Sequence, residues 1–191
     1  MTFRIWHDES IVFAKSNIGK SNITNLPNGG YVVSWSDSTE GRVYFQQYDG
    51  AGQMVGTRTA VETAGDRQYD PEIQAYGSEG DFVVSWQESA GSNLWSVKSR
   101  VFKADGTIKQ TQTLASGLSI GDWDRPAVAS RSDGGFVTVY RTGTGVSFAV
   151  HNSDGEILSN QPVTSVSAAQ YVDVAIVNDN QFVVKALLVS V

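Results

Sequence analysis

Three short stretches set an aromatic ring among planar polar groups: Gln68-Tyr69-Asp70, Asp122-Trp123-Asp124 and Gln170-Tyr171-Val172. Trp95 follows a polar run, Ser89-Ala90-Gly91-Ser92-Asn93-Leu94, and Arg67, Arg125 and Arg141 lie close by in sequence. A sugar calls for this chemistry. Its C–H face needs a flat apolar surface, and its paired hydroxyls need planar amides, carboxylates or guanidiniums. The candidate oligosaccharide contacts are therefore Trp123, Trp95, Asp122, Asp124, Arg125, Tyr69 and Tyr171. A ring that recurs once per unit also suits packing between neighbouring units, and that second reading weighs most on Tyr69 and Tyr171.

Other chemistries find less support. Asp-x-Asp loops can offer hard oxygens to calcium, but calcium wants six to eight ligands and no EF-hand loop is present. With no cysteine, disulfides, thiolate metal sites and a thiol nucleophile are excluded. No metal or cofactor is expected. Ala14-Lys15-Ser16-Asn17-Ile18-Gly19-Lys20-Ser21 satisfies a relaxed phosphate-loop pattern, yet Pro27, Gly29 and Gly30 forbid the helix such a loop must open. Gly19-Lys20 therefore reads as a connecting loop. His7 and His151 fall at the same point of two repeats, which suggests surface residues rather than a catalytic pair. No H-E-x-x-H occurs. A glycosidase needs only two carboxylates, but no spacing here selects a pair. The expectation is a protein that is not an enzyme.

Fourteen Lys and Arg against 20 Asp and Glu give a net charge of −6, which argues against nucleic acid as a partner. The same balance favours neutral over sulfated or uronic sugars, unless Arg67, Arg125 and Arg141 reverse it locally. The most apolar stretch, Phe182 to Val191, is too short to span a bilayer and contains Lys185, so no membrane insertion is expected. The N-terminus shows no apolar run of signal-peptide length.

The elements that must position these residues come from a repeat. Gly29-Gly30-Tyr31-Val32-Val33-Ser34-Trp35 returns as Gly80-Asp81-Phe82-Val83-Val84-Ser85-Trp86, then as Gly134-Gly135-Phe136-Val137-Thr138-Val139-Tyr140, and in decayed form as Asn180-Gln181-Phe182-Val183-Val184-Lys185-Ala186. The first aromatics recur every 46 to 54 residues. The first three motifs are each followed by another strand, an Asp-Gly turn (Asp49-Gly50, Asp105-Gly106, Asp154-Gly155) and a last strand, and a short apolar strand lies upstream of the motifs. No segment keeps a 3.6-residue apolar period. The period and composition point to an all-β propeller of four-stranded antiparallel blades.

One domain over residues 1–191 accommodates four blades, at about 20–70, 71–125, 126–172, and 173–191 together with 1–19. The last is completed by both termini, with Phe3–Trp6 beside the Phe182–Val189 strand. Such a ring hides edge strands. Ala186-Leu187-Leu188-Val189 reads as buried on both faces. Trp35, Trp86 and Tyr140 read as packing between sheets. One face carries uniformly short turns and the other carries longer loops with the candidate aromatics, so loop length assigns the working face.

Leu26-Pro27-Asn28-Gly29-Gly30-Tyr31-Val32-Val33-Ser34-Trp35-Ser36-Asp37 and Val43-Tyr44-Phe45-Gln46-Gln47-Tyr48-Asp49, with Gly65-Asp66-Arg67-Gln68-Tyr69-Asp70-Pro71, resemble the β-propeller-like repeats of large bacterial surface and calcium-binding-type adhesins. The likeness is best in the first two units and weak in the split one. It implies an extracellular or cell-surface recognition module. The glycine-rich calcium nonapeptides that accompany such proteins are absent, so calcium does not carry over. The resulting expectation is a non-catalytic, lectin-like module that binds glycan through its long-loop face. A structural or assembly module of an adhesin, virion or appendage, with other protein subunits as partners, is the alternative. A glycoside hydrolase ranks last.

Overall fold

The computed structural model describes residues 17–89, 91–120, 125–143, 145–164, 169–178 and 181–188. Among them, fourteen strands form four antiparallel sheets. The first holds β1 (Ile18–Asn25), β2 (Tyr31–Asp37), β3 (Arg42–Tyr48) and β4 (Met54–Ala60). The second holds β5 (Gln68–Tyr76), β6 (Asp81–Ser89), β7 (Trp95–Phe102) and β8 (Ile108–Leu118). The third holds β9 (Ala127–Ser130), β10 (Phe136–Thr142), β11 (Gly145–His151) and β12 (Ile157–Pro162). The fourth pairs β13 (Ala169–Asn178) with β14 (Gln181–Leu188). Within each sheet, strands pair in chain order.

The glycine pairs before β2 and β10 have two distinct causes. Gly29 and Gly134 sit at φ of 84° and 85°, where a side chain strains the backbone. Gly30 and Gly135 are needed for closeness instead, since a Cβ there would lie 2.3 Å from the carbonyl oxygens of Tyr48 and His151. Asn28 and Asp133 finish the turns by accepting from the Gly30 and Gly135 amides at 3.0 Å.

Neighbouring sheets meet face to face. Val32, Val43 and Phe45 of the first pack on Ile73, Phe82, Val84, Trp86 and Phe102 of the second. The ring centroids of Phe45 lie 5.1 Å from Phe82 and 4.7 Å from Phe102. The second sheet's other face meets the third through Val83 and Val101 against Val128 and Phe136, and through Val97 and Leu114 against Tyr140 and Ala149. Strand β6 is thus buried on both sides, which is why Phe82-Val83-Val84 shows no polar alternation. Val137, Val139 and Val146 of the third sheet cover Val172, Val174, Phe182 and Val184 of the fourth.

Trp86 and Tyr140 are buried between sheets, and Trp35 is buried on the first sheet's far face, where its described neighbours all belong to that sheet. Three expectations are corrected. His151 is a core residue, not a surface one. It is fully buried, stacks on Phe136 at 4.2 Å, and lies 3.2 Å (Nδ1) from the Gly155 carbonyl. Gly19 and Lys20 belong to strand β1 rather than to a loop. Strand β14 is buried on one face only: Val183 and Leu187 are exposed, because the third sheet covers a single side of the fourth. The expected strands Phe3–His7 and Ile11–Ala14, with His7, lie outside the described residues.

Candidate functional site

Strand β1 packs against β5, β5 against β9, and β9 against β13, so the first strand of each sheet is the inner one. At the entry end of these strands the ladders are irregular. Register shifts between Ile18 and Ser21 in β1, between Tyr69 and Glu72 in β5, and between Ala169 and Tyr171 in β13. Such bulges bend a strand and re-aim its side chains. In β5 the cause is local. Asp70 takes φ of 51°, tolerable for Asp, and Pro71 has no N–H to give the ladder.

The bulges gather charge. Lys20 Nζ lies 3.0 Å from Asp70 Oδ2. Arg125, which precedes β9, brings its Nε within 3.1 Å of Glu72 Oε2. That oxygen is sealed from solvent and outside hydrogen-bonding geometry with any described partner. Burial pushes the Glu72 carboxyl above its ordinary range; Arg125 and a hydrogen bond from Asn22 oppose the rise, and Asp173 on β13 adds to it. Asp173 is exposed and accepts from the Val174 amide at 2.9 Å. A cavity of about 290 Å³ opens here, lined by Lys20, Arg125, Tyr171 and Val172. A smaller one of about 120 Å³ adjoins it, lined by Tyr171, Val172, Asp173, Lys185 and Leu187.

The structure therefore brings Arg125 and Tyr171 together, and adds Lys20, Glu72 and Asp173, which the sequence did not single out. Glu72 follows Asp70-Pro71, but nothing in that string tells which way a bulged strand points it. Tyr69 and Tyr171 lie in strands rather than loops. Tyr69 meets Trp95 edge to face at 5.3 Å, and Trp95 packs on Val97 and Leu114. Tyr69 thus packs on Trp95, and neither ring is among the residues that line the cavity. Asp122, Trp123 and Asp124 lie outside the described residues. Arg67 and Arg141 serve backbone: they donate to the carbonyls of Ser38 and Gly143. Among the described residues, no cluster of three His, Asp or Glu could hold a metal ion.

Loop length also proves an incomplete guide to faces. The larger opening, about 750 Å³, lies on the short-turn side, where Leu26, Pro27, Tyr76, Ser78, Arg131 and Asp133 line it.

No protein-family model matches the chain, and no curated protein matches it. Solved structures do share its fold. A Bacteroides caccae protein of unknown function aligns with a TM-score of 0.57 at 12% identity, over 89% of this chain and 54% of its own. The Dos1 propeller aligns at 0.53 and 12%, over 82% of this chain and 39% of its own. A thermostable family-43 glycoside hydrolase aligns at 0.54 and 11%, over 87% of this chain and 64% of its own. The chain thus spans about two fifths to two thirds of the length of these structures. At such identities the likeness establishes a β-propeller-type fold and nothing finer. It also corrects the expectation of a non-catalytic, lectin-like module. That reading treated the scaffold and its loops as marks of passive recognition, and a glycoside hydrolase shares the scaffold.

Proposed function

We propose that this chain acts on an oligosaccharide and cleaves a glycosidic bond at the mouth of its inner strands. The observation that carries the reading is the pairing of Glu72 with Asp173. One carboxyl is largely buried, which pushes it above the ordinary range; the other is exposed on the next but one inner strand, where it lines the smaller cavity. Two acids in unlike surroundings are what glycoside hydrolysis requires. As a bound sugar draws Arg125 off Glu72 and opens that carboxyl to the cavity, Glu72 gives its proton to the glycosidic oxygen while the bond from that oxygen to the anomeric carbon breaks. Asp173 takes a proton from the water whose oxygen bonds to that carbon. Tyr171 and Val172 offer apolar surface to the sugar ring. Sugar cleavage is the named activity of one protein with this fold, which supports the reading without deciding it.

Incubating the protein with a panel of oligosaccharides and measuring released reducing ends tests this. The wild type is expected to cleave, and Glu72→Gln and Asp173→Asn each to slow cleavage by about 10²-fold or more. Absence of cleavage across the panel, or variants as active as wild type, overturns it.

We further propose that the four sheets are blades of one closed ring, the fourth completed by the segment before β1. Two observations support this. The fourth sheet has two described strands where the others have four. The far face of the first sheet also carries a buried cluster, Val33, Trp35, Tyr44 and Tyr48, whose described members all come from that sheet. The adhesin-like repeat supports an extracellular setting, where polysaccharides are met.

A further inference from the structure

We propose that the mouth cavity takes the carboxylate of an acidic sugar, a uronate unit, in preference to a neutral one; this rests on reading the mouth as a glycan site. The direction in which charge faces carries the proposal. In both ion pairs the carboxylate is the inner partner: Asp70 and Glu72 side chains are 8% and 15% exposed, against 32% for Lys20 and 42% for Arg125. Among the described residues, the cavity is accordingly lined by two cations, a phenol and a valine. An approaching anion meets an ammonium and a guanidinium, although the chain as a whole carries −6.

Local chemistry reinforces this. The Arg125 guanidinium presents Nε to Glu72, and the planar fork of an arginine has two further nitrogens suited to bidentate capture of a carboxylate. The Tyr171 hydroxyl is a donor for a carboxylate or ring oxygen, and its ring with Val172 faces the C–H side of a pyranose. A neutral sugar would use the apolar wall but leave both cations without an anionic partner from the ligand.

Calorimetric titration of the full chain with trigalacturonate, galactotriose and inorganic phosphate tests it. Trigalacturonate is expected to bind at least about tenfold more tightly than galactotriose, and to weaken severalfold between low and high salt. Lys20→Gln and Arg125→Gln are each expected to weaken trigalacturonate by about five- to tenfold, with galactotriose little changed. Lys20→Gln leaves Asp70 buried without its partner, so Lys20→Gln/Asp70→Asn serves where the single variant fails to fold. The salt dependence of the wild type needs no variant. Equal affinity for the two trisaccharides, or salt-independent binding, overturns the proposal; phosphate binding as tight as trigalacturonate also overturns it by showing a plain anion site. Uronate bound but uncut would remove hydrolysis alone, while neutral glycans cut without uronate preference would remove this inference alone.

Discussion

At the scale of single residues, burial decides the chemistry of groups whose sequence context looks alike. Ser34 and Ser85 occupy the same repeat position, fully buried, and their hydroxyls find no hydrogen-bond partner; the third repeat has Val139 there. The position asks for a small side chain, not for a hydroxyl. His151 is the clearer case. Enclosed by Phe136 and Thr138, its imidazole titrates near 4, because burial disfavours the charged ring more than the Gly155 carbonyl favours it. An unfolded histidine titrates near 6.5, so the unfolded chain takes up the proton first as pH falls. The stability that the neutral ring contributes is full above about pH 6.5 and is lost toward pH 4, by roughly 3 kcal/mol. Urea unfolding from pH 7.5 to 4.5 is expected to show this slope in the wild type and a flatter one in His151→Leu. Parallel slopes would assign the acid sensitivity to other groups.

At the scale of elements, the links between sheets are polar as well as apolar. Gln68 is 1% exposed at the head of β5. It accepts from the Val43 amide at 2.9 Å and donates to the Glu62 carbonyl at 3.1 Å. One side chain thus ties the edge of the first sheet to the strand that begins the second. Arg100 of β7 adds to the tie, ion-pairing with Glu62 and donating to the Val61 carbonyl. Gln68→Ala leaves a buried N–H and a C=O unmatched and is expected to cost about 1–3 kcal/mol in denaturant unfolding. A loss below about 0.5 kcal/mol would mean that Gln68 adds nothing to the join between the two sheets. The bulge beginning two residues later re-aims Glu72, so the same few residues both fasten the sheet and build the mouth.

At the scale of the whole molecule, each described sheet relies on its neighbours for burial. The second sheet is covered on both faces, whereas the fourth is covered on one and exposes Val177, Val183 and Leu187 on the other. A fold of this kind gains stability from interfaces between blades, and an uncovered face or free edge invites association. If the ring closes as proposed, removing residues 1–16 is expected to lower the melting temperature by roughly 5–10 °C and to cause self-association visible in sedimentation. A shortened chain that stays monomeric and melts unchanged would contradict the closed ring.

The repeat, its strands and the buried aromatics were legible in the chain because each is a local matter. Alternation, an Asp-Gly turn or a Gly-Gly pair acts within a few residues, and the same local answer is written several times. Trp35, Trp86 and Tyr140 could be assigned to packing for that reason. The mouth was not legible in the same way. Lys20 meets Asp70 across 50 residues, and Arg125 meets Glu72 across a whole sheet. Whether these side chains point inward depends on bulges that shift register by a residue, and a one-residue shift reverses the face on which a strand presents its side chains. His151 was misjudged on the same ground, since its surroundings come from Phe136 and from a turn held by the neighbouring sheet through Tyr76, Lys109 and Gln112. The sequence by itself determined the repeat and its antiparallel strands. Which charges share a cavity, and which ring is sealed from water, was decided only when the sheets stacked, because stacking brings distant residues together and removes the solvent between them.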